Sequence, residues 1–154
     1  MKGWGIKTLI IAAVVASDQL SSAWARAALA HGHTRSFIGG AVQLRLLFNR
    51  GAMLGLGSEH AAWVLAAGIV GTVVLGFFSL RRRQGGMALA LMTGGALANV
   101  ITRLRFHRVI DFIYIPPYPA IFNLADIALR IGVLWFIVAL LVHDRSAARP
   151  KAGY

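Results

Sequence analysis

Residues Ile121 to Val142 read IFNLADIALRIGVLWFIVALLV. A helix of about 20 apolar residues crosses the hydrocarbon core of a bilayer, and this run is long enough to do so. Its first turns nevertheless carry Asn123, Asp126 and Arg130. The i, i+3, i+4 relation places all three on one helix face. An ionisable group inside an apolar segment is costly, so a carboxylate there marks a functional site by default. The stretch therefore predicts a membrane helix that presents polar groups near one end.

Working outward, three more apolar stretches appear: Trp4 to Ala25, Ala61 to Leu80 and the shorter Met87 to Ile101. Hydrophobic residues make up 58% of the 154 positions and charged residues only 14%, against about a quarter in soluble domains. The expected fold class is all-α and integral to the membrane, with four transmembrane helices in one domain spanning residues 1–154. Between the first two spans, Val42, Leu44 and Leu46 alternate with Gln43, Arg45 and Leu47, which predicts a small β-like segment. Gly51, Gly55 and Gly57 predict a flexible loop after it. Pro116-Pro117-Tyr118-Pro119 stops any helix before the fourth span.

The net charge of +11 would suggest nucleic acid in a soluble chain. Here the basic residues flank apolar runs, as lipid headgroups and topology signals require, so membrane lipids and not nucleic acid are the expected partners. Arg81, Arg82 and Arg83 occupy a short connection, and Lys2, Lys7, Arg145, Arg149 and Lys151 mark the two ends. With an even number of spans the positive-inside rule makes both termini cytoplasmic. His31 to His60 and Leu104 to Ala120 then lie outside. Met1 to Ala25 also has the outline of a cleaved signal peptide, with Ala23-Trp24-Ala25 as its cleavage site. The polar pair Asp18-Gln19 inside the apolar run argues against that reading. With no cysteine and no histidine pair at ligand spacing, neither disulfide nor metal is expected.

Five acidic residues are present. Glu59 and Asp144 fall in polar flanks; Asp18, Asp111 and Asp126 fall within or beside apolar segments. Asn99, Thr102 and Arg103 share a face of the third span. The topology brings Asp111 and Asp126 to the same membrane surface, where two carboxylates would share a proton. Such a pair can activate water and protonate a leaving amine, the chemistry of an aspartyl protease. The competing reading is an ion-pair network of Asp126 with Arg130 and of Asp111 with Arg103 or Arg108.

Five motifs occur in order along the chain: Asp18-Gln19; Asn49-Arg50-Gly51-Ala52; Gly94-Gly95-Ala96-Leu97-Ala98-Asn99-Val100-Ile101-Thr102-Arg103; Val109-Ile110-Asp111-Phe112; and Phe122-Asn123-Leu124-Ala125-Asp126. Together they resemble the lipoprotein signal peptidase (signal peptidase II) family. The resemblance implies a catalytic pair, Asp111 and Asp126. It implies supporting or substrate-binding roles for Asp18, Asn49, Gly51, Asn99, Thr102, Arg103 and Asn123, with no cofactor and no metal. It also implies cleavage of the signal peptide from lipid-modified prolipoproteins at the outer face of the bacterial cytoplasmic (inner) membrane, by a monomer. The chain departs from the family pattern at Thr102 (aspartate expected), Ser22 (lysine expected) and Ala98 (glycine expected), and it adds Arg130. Arg26, one turn beyond Ser22, is the expected stand-in for the lysine. These departures keep open an alternative, a paralogue that binds lipoproteins or signal helices without cleaving them. A small transporter fits less well, because the polar groups cluster at one surface.

Overall fold

A computed structural model describes residues 3–51, 58–82 and 84–147. Four helices are long and apolar enough to cross a membrane: α1 (Trp4–Ala28), α2 (Ala61–Arg81), α3 (Gly86–Phe106) and α4 (Leu124–Ala147). The third is not short as expected. Polar Thr102, Arg103 and Arg105 continue it to Phe106, where His107 takes a left-handed conformation (φ 57°) and ends it. Trp63, Val70 and Val73 on α2 and Leu134, Val138 and Leu141 on α4 are exposed. Such faces suit lipid, which solvates leucine and valine as well as a protein core does.

Helix α3 is the centre of the bundle and packs against the other three. Small residues allow this. A side chain at Gly94 would meet Val14 of α1, and one at Gly95 would meet the Ala125 carbonyl of α4. Backbones that close need no Cβ between them. At the opposite end, Lys7 is buried and its Nζ donates to the Ser79 and Arg82 carbonyls at 2.7 and 2.8 Å. These carbonyls close the C-terminus of α2, where a helix lacks internal donors and favours a cation. Lys7 thereby joins α1 to the arginine-bearing connection between α2 and α3. Lys2, Arg83, Arg149, Lys151 and the glycine loop at Gly55 and Gly57 lie outside the described residues.

The segments between α1 and α2 and between α3 and α4 meet in one antiparallel sheet. It contains β1 (Arg35–Phe37), β2 (Val42–Asn49), β3 (Val109–Tyr114) and β4 (Ile121–Phe122), in that order. The alternation at Val42 to Leu47 foretold β2, although β1, β3 and β4 went unread. Residues 121–122, expected to open the fourth span, pair with β3 instead, Ile113 opposite Phe122. The proline run forms the turn between β3 and β4, and Tyr118 N–H donates to the Ile115 carbonyl at 2.8 Å. Phe112 anchors the sheet on α1 by packing with Ala25 and Leu29, all three buried.

A register shift in β2 sets the face of the sheet on which the polar residues meet. Leu44 faces Ile113, but Leu47 faces Asp111, so β2 carries one extra residue between these pairs. Continuing the first register would leave Asn49 on the side opposite Asp111, because strand side chains alternate with period 2. The bulge turns Asn49 onto the face of Asp111.

Candidate active site

Asp111 projects from β3 and is 1% exposed, an extreme for a carboxyl group. Two amides hold it. Asn49 Nδ2 donates to Oδ2 and Asn123 Nδ2 donates to Oδ1, each at 3.0 Å. Asn123 Nδ2 also donates to Asn99 Oδ1 at 3.1 Å, and Asn99 Nδ2 donates to Asp126 Oδ1 at 3.0 Å. The two aspartates, fifteen positions apart in the chain, thus belong to one chain of hydrogen bonds. Its links come from β2, β3, α3 and the start of α4.

Asn123 has a second task. Its Oδ1 accepts from Asp126 N–H at 2.9 Å, the geometry of a helix N-cap. Asp18 adds an acceptor from α1: its Oδ1 receives Ala125 N–H at 3.0 Å. A carboxylate among the free N–H groups of a helix start is favoured by the helix dipole. Asp18, itself 1% exposed, therefore fixes the end of α4 that carries Asp126.

Gly51 and Arg103 border the network. Gly51 N–H donates to Asn49 Oδ1 at 2.9 Å, and Arg103 Nη2 donates to the Gly51 carbonyl at 2.7 Å. Thr102 joins indirectly: it is 1% exposed, and its hydroxyl accepts from Gln19 Nε2 at 2.8 Å and donates to the Ala98 carbonyl at 3.0 Å. Gln19 also donates to Asp18 Oδ2 at 3.3 Å. Gln19 is the other half of the polar pair that interrupts the first apolar stretch. It links α1 to α3 beside the place where Asp18 caps α4.

Three arginines expected near the site lie over aromatic rings. Arg26 stacks over Phe106 with its guanidinium 4.4 Å from the ring centre, and Arg108 lies 4.5 Å over Phe48. Arg130 lies 4.9 Å over Phe122. Asp111 is instead held by neutral amides. Among the described residues no group of three or more metal-ligating side chains occurs.

Burial pushes the Asp111 carboxyl up from 3.8 to about 7; the Asn49 hydrogen bond and Arg103 oppose the rise, and Asp126 and Asp18 add to it. The folded chain therefore binds a proton at Asp111 between these two values that the unfolded chain releases. Its stabilising contribution is full below 3.8 and is lost as pH rises to about 7. Thermal unfolding in detergent should show a melting temperature that declines over this window. Asp111→Asn should reduce that slope, and an unchanged slope would assign it to another group.

A cavity of about 530 Å³ opens beside the network, lined by Trp63, Ala67 and Gly68 of α2, Asn99 and Arg103 of α3, and Leu129 of α4, among others. Its wall is mostly apolar; Asn99 of the hydrogen-bond chain lines it, together with the polar side chains of His60 and Arg103. The family profile described as signal peptidase (SPase) II matches residues 10–142, which contain every residue of this site. The chain belongs to the signal peptidase II family.

Relatives agree across most of the chain. A lipoprotein signal peptidase of Burkholderia ambifaria is 39% identical over 144 residues, covering 85% of this chain and 81% of its own. One from Dehalococcoides mccartyi is 33% identical over 140 residues, covering 86% of both chains. Two solved structures of bacterial membrane enzymes superpose with TM-scores of 0.86 and 0.80 at 28% and 30% identity. The first covers 99% of this chain and 96% of its own, the second 90% and 94%. Signal peptidase II membership and four apolar helices make this chain a multi-pass bacterial membrane protein and a protease by descent.

Proposed function

We propose that this chain removes the signal peptide from lipid-modified prolipoproteins, with Asp111 and Asp126 as the catalytic pair. The observation that carries the reading is the chain of asparagine hydrogen bonds joining these two carboxylates beside an apolar cavity. Asp111, raised to about 7, holds the shared proton near neutrality. Asp126 takes a proton from the attacking water while Asp111 gives its proton to the scissile carbonyl oxygen. Collapse of the tetrahedral intermediate then breaks the C–N bond, and the proton on Asp126 passes to the leaving amine. Asn49 and Asn123 hold Asp111; Asn99 holds Asp126. Asp18 acts through Ala125 to position the first turn of α4. The cavity between α2, α3 and α4 accepts the apolar signal helix and its lipid. Both dyad aspartates and their amide partners are in place, so nothing favours the non-cleaving alternative. Incubating purified protein with a lipidated prolipoprotein tests the reading directly: the expected product is the shortened lipoprotein, and binding without product over long incubation would refute it.

The charge pattern supports an outer-face location for this chemistry, at the cytoplasmic membrane. Arg81 and Arg82 lie at the end of the bundle opposite Asp111, and the positive-inside rule assigns their end to the cytoplasm. A reporter fused at Arg82 should behave as cytoplasmic and one inserted at Gly39 as external. The reverse pattern would remove the outer-face assignment.

Thr102 separates an adapted enzyme from a damaged one. Its hydroxyl already has both a donor and an acceptor as partners, so the position is satisfied without a charge. Thr102→Asp would bury a carboxylate near Asp18 with no cation added. The expected outcome is a loss of about 3 kcal/mol of stability with cleavage no faster than wild type. Faster cleavage by Thr102→Asp would show that the threonine is a defect.

A further inference from the structure

Beyond the catalytic pair, the outward end of the bundle holds two adjoining cavities that the peptidase chemistry does not use. The larger, about 410 Å³, is lined by Arg50, Ala61, Phe106, His107 and Arg108. The smaller, about 220 Å³, shares Arg50, Ala61 and His107 and adds Ala62, Leu65 and Arg103. The larger falls within the roughly 300–1,000 Å³ of small-molecule sites. None of the described lining side chains is acidic. We infer that these cavities bind the phosphate-bearing headgroup of an anionic phospholipid of the surrounding bilayer.

Three observations lead to that ligand. The first is charge: Arg50, Arg103, Arg108 and His107 converge from just beyond the end of β2, from α3 and from the turn after α3. Guanidinium forks match phosphate oxygens in geometry as well as charge. The second is orientation. Arg108 lies face-on over Phe48 and Arg103 is tied to the Gly51 carbonyl, so both guanidiniums are held in place before any ligand arrives. The third is depth. The cavities lie where α2 begins and α3 ends, the level of headgroups for spans of this length. Ala62, Leu65 and Phe106 supply apolar wall below the cations, which suits a lipid's glycerol and acyl chains and gives a free phosphate nothing. The left-handed turn at His107 makes the arrangement by reversing the chain at the end of α3, so that His107 and Arg108 line the same cavity as Arg50.

The chain has no cysteine, so Ala61→Cys creates a single thiol in the wall of both cavities. The full-length variant would be placed in phosphatidylcholine vesicles with and without phosphatidylglycerol, and its reaction with the uncharged reagent N-ethylmaleimide timed. Phosphatidylglycerol should slow the reaction by roughly fivefold or more, as one well-placed arginine contact near a membrane would give. Adding Arg50→Gln should abolish most of that protection. Arg108→Gln should act likewise, and if that variant does not fold, exposed Arg50 alone decides the matter. Leu104→Cys, exposed near the end of α3 and lining neither cavity, should react equally fast in the two vesicle types. Equal rates at Ala61→Cys, or equal slowing at Leu104→Cys, would overturn the inference. Inorganic phosphate protecting as well as phosphatidylglycerol would overturn the assignment to a lipid. None of these rates depends on whether the chain cleaves prolipoprotein.

Discussion

Asp111→Asn and Asp126→Asn should each lower the prolipoprotein cleavage rate by about 10³-fold or more while leaving the protein inserted and folded. General acid–base catalysis by a placed group is worth about 10²–10⁴-fold, and here one shared proton serves both attack and departure. Neither amide can supply that proton or accept one from water. The two variants should differ in a second property. An asparagine side chain has no charge to desolvate, so Asp111→Asn should weaken the decline in melting temperature between 3.8 and about 7. Asp126 is half-buried, and its Oδ1 accepts from Asn99 Nδ2. Asp144→Asn, near the C-terminal end of α4, should cleave at the wild-type rate and so controls for loss of any carboxylate. Cleavage near the wild-type rate by either dyad variant would exclude the aspartyl mechanism for this chain.

Gly95→Ala should be the most damaging single methyl group in the bundle. A Cβ there would sit 2.5 Å from the Ala125 carbonyl oxygen and 2.9 Å from Leu129 Cγ. The first neighbour is backbone, and it cannot step aside without moving α4. Ala125 is also the residue whose N–H is held by Asp18, and it precedes Asp126 directly. Pushing α4 outward therefore stretches the Asn99–Asp126 hydrogen bond, 3.0 Å in the native protein. Overpacking of this kind costs about 1–3 kcal/mol, and a displacement near 1 Å of a reacting group can cost about 10²-fold in rate. Gly71→Ala makes the contrast. It lies in α2 with nothing within 4 Å of the added carbon, and helix propensity there favours alanine by about 1 kcal/mol. Comparing thermal stability and cleavage of the two variants checks the argument, and wild-type activity in Gly95→Ala would show that the α3–α4 spacing is not what places Asp126.

Much of the site was legible because apolar context makes polar residues conspicuous. Asp18, Asp111 and Asp126 stood out as charges in or beside spans, Asn123 by helical spacing to Asp126, and Asn99 and Arg103 by sharing one face of the third span. The ion pairs expected of Arg103, Arg108 and Arg130 were a harder matter. Spacing says which side chains can meet, while aromatic rings on neighbouring elements compete for the same cations. Arg26, Arg108 and Arg130 lie over Phe106, Phe48 and Phe122, drawn from other parts of the chain.

The sequence by itself determined the four spans, the end of the bundle that carries the polar groups, and the family. Hydropathy, charge flanking and motif order are properties of neighbouring residues and need no partner to be read. Only the tertiary structure decided how those residues meet. The bulge that turns Asn49 toward Asp111, the pairing of residues 121–122 as a strand, and the capping of α4 by Asp18 each join segments remote in the chain. A strand's register depends on both strands, and a helix cap supplied by another helix depends on the packing between them. No local pattern encodes either, and in this protein they set where the two carboxylates stand.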